Sequence, residues 1–435
     1  MNAPVWRPPA TERELGLEFY LTSTPPVEGI LKSTPEDFRV EEISAYPRPT
    51  EDGRFVVLRV RSRNWEQHEL AQRIAQRLGI PAHQLRWAGT KDRRAVAERL
   101  FSYPGALPIA DLGLPDVEIV EAYRARDTLV LGHHYGNAFD LRIAPIGKRM
   151  ESGTVADALQ ELRAAGGFPN FFGLQRFGEV RPITHEVGRH LVRGDPAAAI
   201  ESYLVDCPGP EGSAGYAARR AYAFHHDAAQ GLREFPAAFR FERQLLDHLA
   251  RGQPPDRTLR ALGRELRMLF VHAYQSFLFN RWVSQRHAEG LSLTVPEEGD
   301  YLLRVTRDGT VPGVDPVHVE GDNLEECRAW VGRGRARLAG PLVGSDTPEM
   351  TGRGGRLFEG LLTQEGVARA QFTLPRSPEL ASRGTWRPLW CPLPPIGLAE
   401  ATTGGGVRLR FALPKGTYAT VLLREVLKSG AESTS

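Results

Sequence analysis

Cysteine is nearly missing from this 435-residue chain: Cys207, Cys327 and Cys391 stand alone. An odd number without CxxC spacing argues against both a disulfide framework and a zinc site. Long apolar runs are missing too, and none approaches the ~20 residues that span a bilayer. The first residues, MNAPVWRPPATEREL, carry Pro, Arg and Glu where a signal peptide needs an apolar stretch, so a cytoplasmic location is expected. Neither sign of charge dominates: 55 basic against 53 acidic residues give a net +2, which does not announce a nucleic-acid partner. Lysine is the scarce cation. Lys32, Lys91, Lys148, Lys415 and Lys428 are all there are, leaving fifty arginines among the 55 basic residues. Arginine suits phosphate because its planar fork donates bidentately. Codon bias in a G+C-rich genome explains the ratio as well, and under such bias a surviving lysine marks a place that arginine does not fill.

Several chemistries are excluded by missing motifs. There is no GxxxxGK[ST] to cradle phosphates, and Gly404-Gly405-Gly406 precedes a strand, not a helix N-terminus. No GxGxxG follows a predicted strand, which argues against a dinucleotide fold. HExxH and GxSxG are absent. His133-His134 and His225-His226 are adjacent pairs whose side chains point apart, poor metal ligands. The expectation is an enzyme without metal, nucleotide or flavin.

At about 150 residues per domain the length suggests roughly two or three domains. Strands are expected at 54–60, 84–88, 116–122, 127–131, 137–143 and 407–413. Leu70, Ile74 and Leu78 place a helix at 66–78 that Gly79 and Pro81 close. Further helices are expected at 154–165, through most of 196–287 and at 417–428, the last with Thr417 as N-cap. LRMLFVHAYQSFLFNRWV (266–283) is apolar all round and reads as a buried helix. Residues 288–385 read as Gly- and Arg-rich, with short strands and turns. A strand-rich beginning and end around a helical middle suggests one domain inserted into another.

Four segments carry polar and aromatic residues that packing alone does not require. Leu31–Phe38 (LKSTPEDF) is one, and otherwise reads as a turn before a strand. In Trp87–Arg94 (WAGTKDRR), Gly89 allows a sharp exit from a strand and Asp92 follows beside Lys91, Arg93 and Arg94. A carboxylate so placed is held ionised and available as a nucleophile, unless it merely caps a helix at 93–101. Asn170–Gly178 (NFFGLQRFG) interleaves aromatics with amides and an Arg, the groups that stack on and hydrogen-bond a base, or that anchor a buried loop. Phe411–Thr420 (FALPKGTYAT) could present Tyr418 to a site or to the core.

In this order these segments resemble the TruD family of tRNA pseudouridine synthases. The resemblance is carried by KSTPEDFRVEE (32–42), AGTKDRRAV (88–96), GNAFDLRI (136–143), PNFFGLQRFG (169–178), AYQSFLFNRWVSQR (273–286) and FALPKGTYATVLLRE (411–425). It implies an α+β fold: a catalytic domain with a bent, mainly antiparallel mixed sheet and flanking helices, over 1–195 and 386–435. An inserted α/β TRUD domain would occupy 196–385, of which 290–360 matches little. The implied reaction is isomerisation of uridine 13 in the D arm of tRNA to pseudouridine, without cofactor or metal. Asp92 would be the catalytic aspartate and Lys32 the basic residue set against it. Asn170, Phe172 and Tyr418 would line the pocket, with Tyr418 stacking on a flipped-out base. Lys91, Gln175, Arg176 and Lys415 are candidates for RNA binding or support. A monomer with tRNA as partner and no membrane contact is expected. Two rivals stand beside this reading: the same chemistry on messenger or small RNA, and a non-catalytic RNA-binding relative.

Overall fold

The computed structural model describes residues 5–44, 46–106, 111–147, 152–178, 180–207, 214–307, 309–401 and 405–434. By its packing the chain forms two compact units, Met1–Trp6 with Tyr20–Phe168 and Pro392–Ser435, and Arg7–Phe19 with Pro169–Cys391. The fold is α+β, as expected. The compact units change over at 169 and 391, whereas the sequence division places the insertion at 196–385. Packing explains the difference. The helix Thr184–Val192 lies so close to the long helix Arg264–Ala288 that a Cβ on Gly188 would meet the Phe270 carbonyl oxygen at 2.0 Å. Residues before 196 are thereby built into the second unit.

The first unit is organised by a nine-stranded sheet. Its strands are Gly29–Leu31 (β1), Phe38–Ile43 (β2), Phe55–Arg63 (β3), Arg86–Trp87 (β4), Val96–Pro104 (β5), Val117–Ala125 (β6), Gly136–Pro145 (β7), Gly397–Glu400 (β8) and Val407–Pro414 (β9). The path runs β8-β9-β7-β2-β5-β3-β6, with β1 on β7 and β4 on β5. Only β2 and β5 pair in parallel, Val40 opposite Ala97; the remaining neighbours are antiparallel. The helices are Gln67–Leu78 (α1), Ser152–Ala165 (α2) and Ala419–Leu427 (α3). In α1, Leu70 and Ile74 pack on Val56, Leu58, Val60, Phe101 and Tyr103, which is the burial that period-four leucines anticipate. Gly79 ends that helix at φ 66°, a left-handed position glycine adopts without a Cβ penalty.

Some expectations fail locally. Residues 127–131 form a loop, not a strand, although Leu129 is buried in a cluster with Val57 and Leu100. Apolar content alone imitates a strand where a loop plugs a core. The helix considered at 93–101 does not exist: 96–104 is β5, so Asp92 caps nothing. Helix α3 takes Tyr418 as its N-cap position, one residue beyond Thr417.

The second unit is mostly helical between 184 and 288, as expected. Its longest helix, Arg264–Ala288, buries Phe270, Tyr274, Phe279 and Trp282 completely. Between 288 and 385 the chain builds a four-stranded sheet and two helices, Leu324–Gly332 and Gly352–Gln364. Turn-rich composition hid those helices; four glycines, Gly352, Gly354, Gly355 and Gly360, lie within Gly352–Gln364 itself. No described helix is long and apolar enough to cross a membrane.

Candidate active site

The site is built on the first unit from three loops. Lys32 follows β1 at φ 56°, the left-handed region, which non-glycine residues enter only where surroundings hold them. What holds it is the next turn. Asp37 Oδ2 accepts from the Thr34 N–H at 2.9 Å, Pro35 opens a short 3-10 turn, and Arg142 clamps Asp37 Oδ1 at 2.9 Å. The Lys32 ammonium thus lies 4.4 Å from the Phe38 ring centroid and 3.1 Å from Asp92 Oδ2. The lysine side chain is 10% exposed and the aspartate 35%, so the pair opens toward solvent on the carboxylate's side.

Asp92 belongs to the loop joining β4 to β5. Its neighbour Lys91 turns inward and binds Glu42 Oε2 at 2.8 Å, with side-chain exposures of 2% and 0%. Glu42 is on the same buried face of β2 as Phe38 and Val40. Burial pulls the Lys91 ammonium below its ordinary lysine value, against the pull of Glu42. Arg99, also buried, donates to Gln67 Oε1 at 2.5 Å and Ser62 Oγ at 3.1 Å, and burial lowers its pKa to about 10. A Cβ on Gly89 would stand 2.9 Å from the His134 ring and 3.2 Å from Lys91 Nζ, so only glycine lets the loop close over both. Burial, then the Lys91 charge, keeps His134 below the usual histidine value.

The third loop ties in the remaining motif. Gly132 N–H donates to the Ala88 carbonyl at 2.7 Å, Lys415 Nζ donates to the Gly132 carbonyl at 2.7 Å, and Lys415 N–H donates to Tyr135 at 2.9 Å. Tyr418, half-buried, follows that turn in extended conformation at the mouth of α3. Lys32, Asp92, Lys91 and Lys415 are therefore brought into one set of interlocking loops. Lys91 is turned into the core, and Lys415, at the surface, ties two of the loops together.

Asn170, Phe172, Gln175 and Arg176 lie in the second unit, where they form a braced loop. Asn170 is 5% exposed, with Nδ2 donating to the Pro388 carbonyl at 3.0 Å and Oδ1 accepting from Arg387 at 2.8 Å. Arg387 also stacks over the Phe172 ring at 3.9 Å. Asn280 grips the Phe172 main chain from both sides, accepting its N–H at 2.8 Å and donating to its carbonyl at 3.0 Å. Arg176 donates to Ser276 Oγ at 3.0 Å, and Gln175 sits half-buried in the same 3-10 turn.

Glu42, Asn280 and Arg387 escaped the sequence reading, and His134 was read only as one of an adjacent pair. Two left a signal: Glu42 falls on the apolar phase of β2, and Asn280 interrupts an apolar helix, and a buried polar group needs a partner. Among the described residues no group of three or more His, Cys, Asp or Glu could hold a metal ion.

Known proteins align with nearly the whole chain. Residues 14–426 match the family model described as tRNA pseudouridine synthase D (TruD). The protein named "Probable tRNA pseudouridine synthase D" in Halobacterium salinarum is 36% identical over 433 residues, covering 96% of this chain and 97% of that protein. Its namesake in Archaeoglobus fulgidus is also 36% identical, covering 96% and 99%. The crystal structure of the TruD protein from Methanosarcina mazei superposes with a TM-score of 0.78 at 30% identity, covering 97% of this chain and 98% of that one. By family model, relatives and fold, the chain belongs to the TruD family of tRNA pseudouridine synthases.

Proposed function

We propose that this protein isomerises uridine to pseudouridine in tRNA, at uridine 13 of the D arm, with Asp92 as nucleophile. The observation that carries the proposal is the Lys32–Asp92 pair at 3.1 Å, which joins two motifs sixty positions apart in the chain. The target base is flipped out of the RNA, at a cost of a few kcal/mol in unstacking. An Asp92 carboxylate oxygen forms a bond to C1′ as the N1–C1′ bond breaks and its electron pair leaves with the base. The base rotates, C5 bonds to C1′, and the aspartate departs with its electrons. Loss of the C5 proton and protonation of N1 complete an isomerisation in which nothing is consumed. Lys32 holds the attacking oxygen in line. The family roles of Asn170, Phe172 and Tyr418 toward the base belong to the same proposal, as does the division into a catalytic domain and an inserted one.

The test is incubation of the full-length protein with unmodified tRNA transcript, followed by mapping of pseudouridine, with Asp92→Asn in parallel. The amide is isosteric but a poor nucleophile, so turnover should vanish while RNA affinity stays within about three-fold. Pseudouridine at another position or only in other RNAs replaces the substrate assignment. Activity of Asp92→Asn near wild type sinks the nucleophile.

A further inference from the structure

The segment that delivers Asp92 is held in an unusual way. Among the described residues, 89–92 make no main-chain hydrogen bond: the flanking anchors are the Ala88 carbonyl, bound by Gly132 N–H at 2.7 Å, and Ala95, whose carbonyl accepts from Asn64 N–H at 2.9 Å. Between those anchors the side-chain ties are two ion pairs and one hydrogen bond, from Arg94 Nη2 to the Ser33 carbonyl at 2.6 Å beyond the aspartate. One ion pair is Asp92 with Lys32, at the site itself. The other is Lys91 with Glu42, wholly inside the protein. The second precedes the aspartate by one residue, so it fixes where the loop passes as it leaves the core. Glu42 is carried on the middle of the sheet, between β7 and β5, so it is a rigid post.

The environment makes the pair selective for its own geometry. Arg99 contributes a second buried positive charge near Glu42, and His134 closes over Gly89 and Lys91. Glu42 Oε1 is buried without a hydrogen-bond partner, so Lys91 is what the carboxylate has. Removing the ammonium leaves an unpaired buried carboxylate, and the loop must move to bring it water or another cation.

We propose that Lys91 and Glu42 are positioning residues for the reaction: their buried ion pair sets the path of residues 89–92 and with it the line of attack of Asp92. The inference rests on Asp92 being the nucleophile. It goes beyond that reading by giving the sequence-adjacent lysine a task away from RNA.

The experiment uses the full-length protein and unmodified tRNA transcript with Lys91→Met, Glu42→Gln and the double variant, each measured for kcat, KM, RNA affinity and thermal midpoint. Methionine keeps the length and apolar stem of Lys91, and glutamine keeps the shape of Glu42. Displacement of a reacting group by ~1 Å costs about 10²-fold. Lys91→Met should therefore lose roughly 10²-fold in kcat, with KM and RNA affinity within about three-fold. The single variants melt lower than the parent. The double variant, which removes the mismatch between the two partners but leaves Arg99 without the Glu42 carboxylate, should regain part of its thermal midpoint yet remain impaired in kcat. A pair with a purely structural role recovers kcat together with stability, which overturns the proposal. Folded Lys91→Met that turns over like the parent overturns it as well, and so does a loss confined to RNA affinity. If Asp92→Asn is active, the nucleophile assignment has failed; if Asp92→Asn is inactive and Lys91→Met is not, this inference alone has failed.

Discussion

Replacing Lys32 separates charge from geometry at the centre of the site. At 3.1 Å and an effective dielectric of about 20, the Lys32–Asp92 attraction is about 5 kcal/mol before desolvation. The aspartate side chain is 35% exposed, so water and side-chain ordering cancel much of this. A net of ~1–3 kcal/mol remains, corresponding to roughly 5- to 150-fold. Lys32→Met keeps the apolar stem over the Phe38 ring but removes the ammonium, and should lower kcat by about 10²-fold. Lys32→Arg keeps the charge, yet its longer planar head cannot occupy the same point between Phe38 and Asp92. It should fall to an intermediate rate, about ten-fold down. Single-turnover assays with enzyme in excess over unmodified tRNA transcript give the chemical rate directly, and thermal midpoints guard against unfolding. An Arg variant as fast as the parent would show that positive charge suffices and that geometry is idle. A Met variant at the parental rate refutes the pair's role altogether.

Two further outcomes are expected. Tyr418→Phe should be nearly silent and Tyr418→Ala should lose roughly 5- to 150-fold in kcat/KM, because a stacking ring contributes ~1–3 kcal/mol; an equal loss in both variants would make the hydroxyl the active part. Acid should destabilise the second unit through His272, whose pKa burial, followed by the Arg176 charge, lowers to about 4. The unfolded chain takes up this proton near pH 6.5 while the folded one does not, so stability is intact above that pH and falls between pH 6.5 and about 4. At most ~3 kcal/mol is involved. Urea unfolding of His272→Gln should show a flatter pH dependence over that window, and an unchanged slope would exclude His272 as the cause.

What the sequence reveals about this molecule follows from the range of the interactions involved. Helix α1 could be read because its leucines repeat on one face and Gly79 ends it, both local properties. Asp92 and Lys32 could be read as motifs, but their contact depends on a left-handed turn at Lys32 that no local pattern demands. The inward course of Lys91 was hidden because its partner, Glu42, lies forty-nine positions away on another strand. Loop 127–131 misled for the opposite reason: its apolar residues serve burial of a loop, and hydrophobicity does not distinguish that from a strand. The compact units change over before 196 because helix Thr184–Val192 packs on a helix eighty residues further on.

The order of the central sheet has a consequence for the birth of the protein. Strand β7 pairs on one side with β2, which is made before it, and on the other with β9, where Leu141 meets Leu409. At about 5–20 residues per second, a ribosome needs roughly 13–54 s to supply that second neighbour. For that interval one whole edge of β7 is unsatisfied, with Leu141 and Ile143 awaiting cover and an open ladder that another nascent chain could fill. Residues 169–391 emerge meanwhile and can complete their own core. Helix α3 follows β9, and its Glu425 accepts the Leu21 and Thr22 N–H groups at 2.7 and 3.2 Å. The loops that bring Lys32 and Asp92 together are thus attached to a sheet that is sealed only after the whole of residues 169–391 has been made.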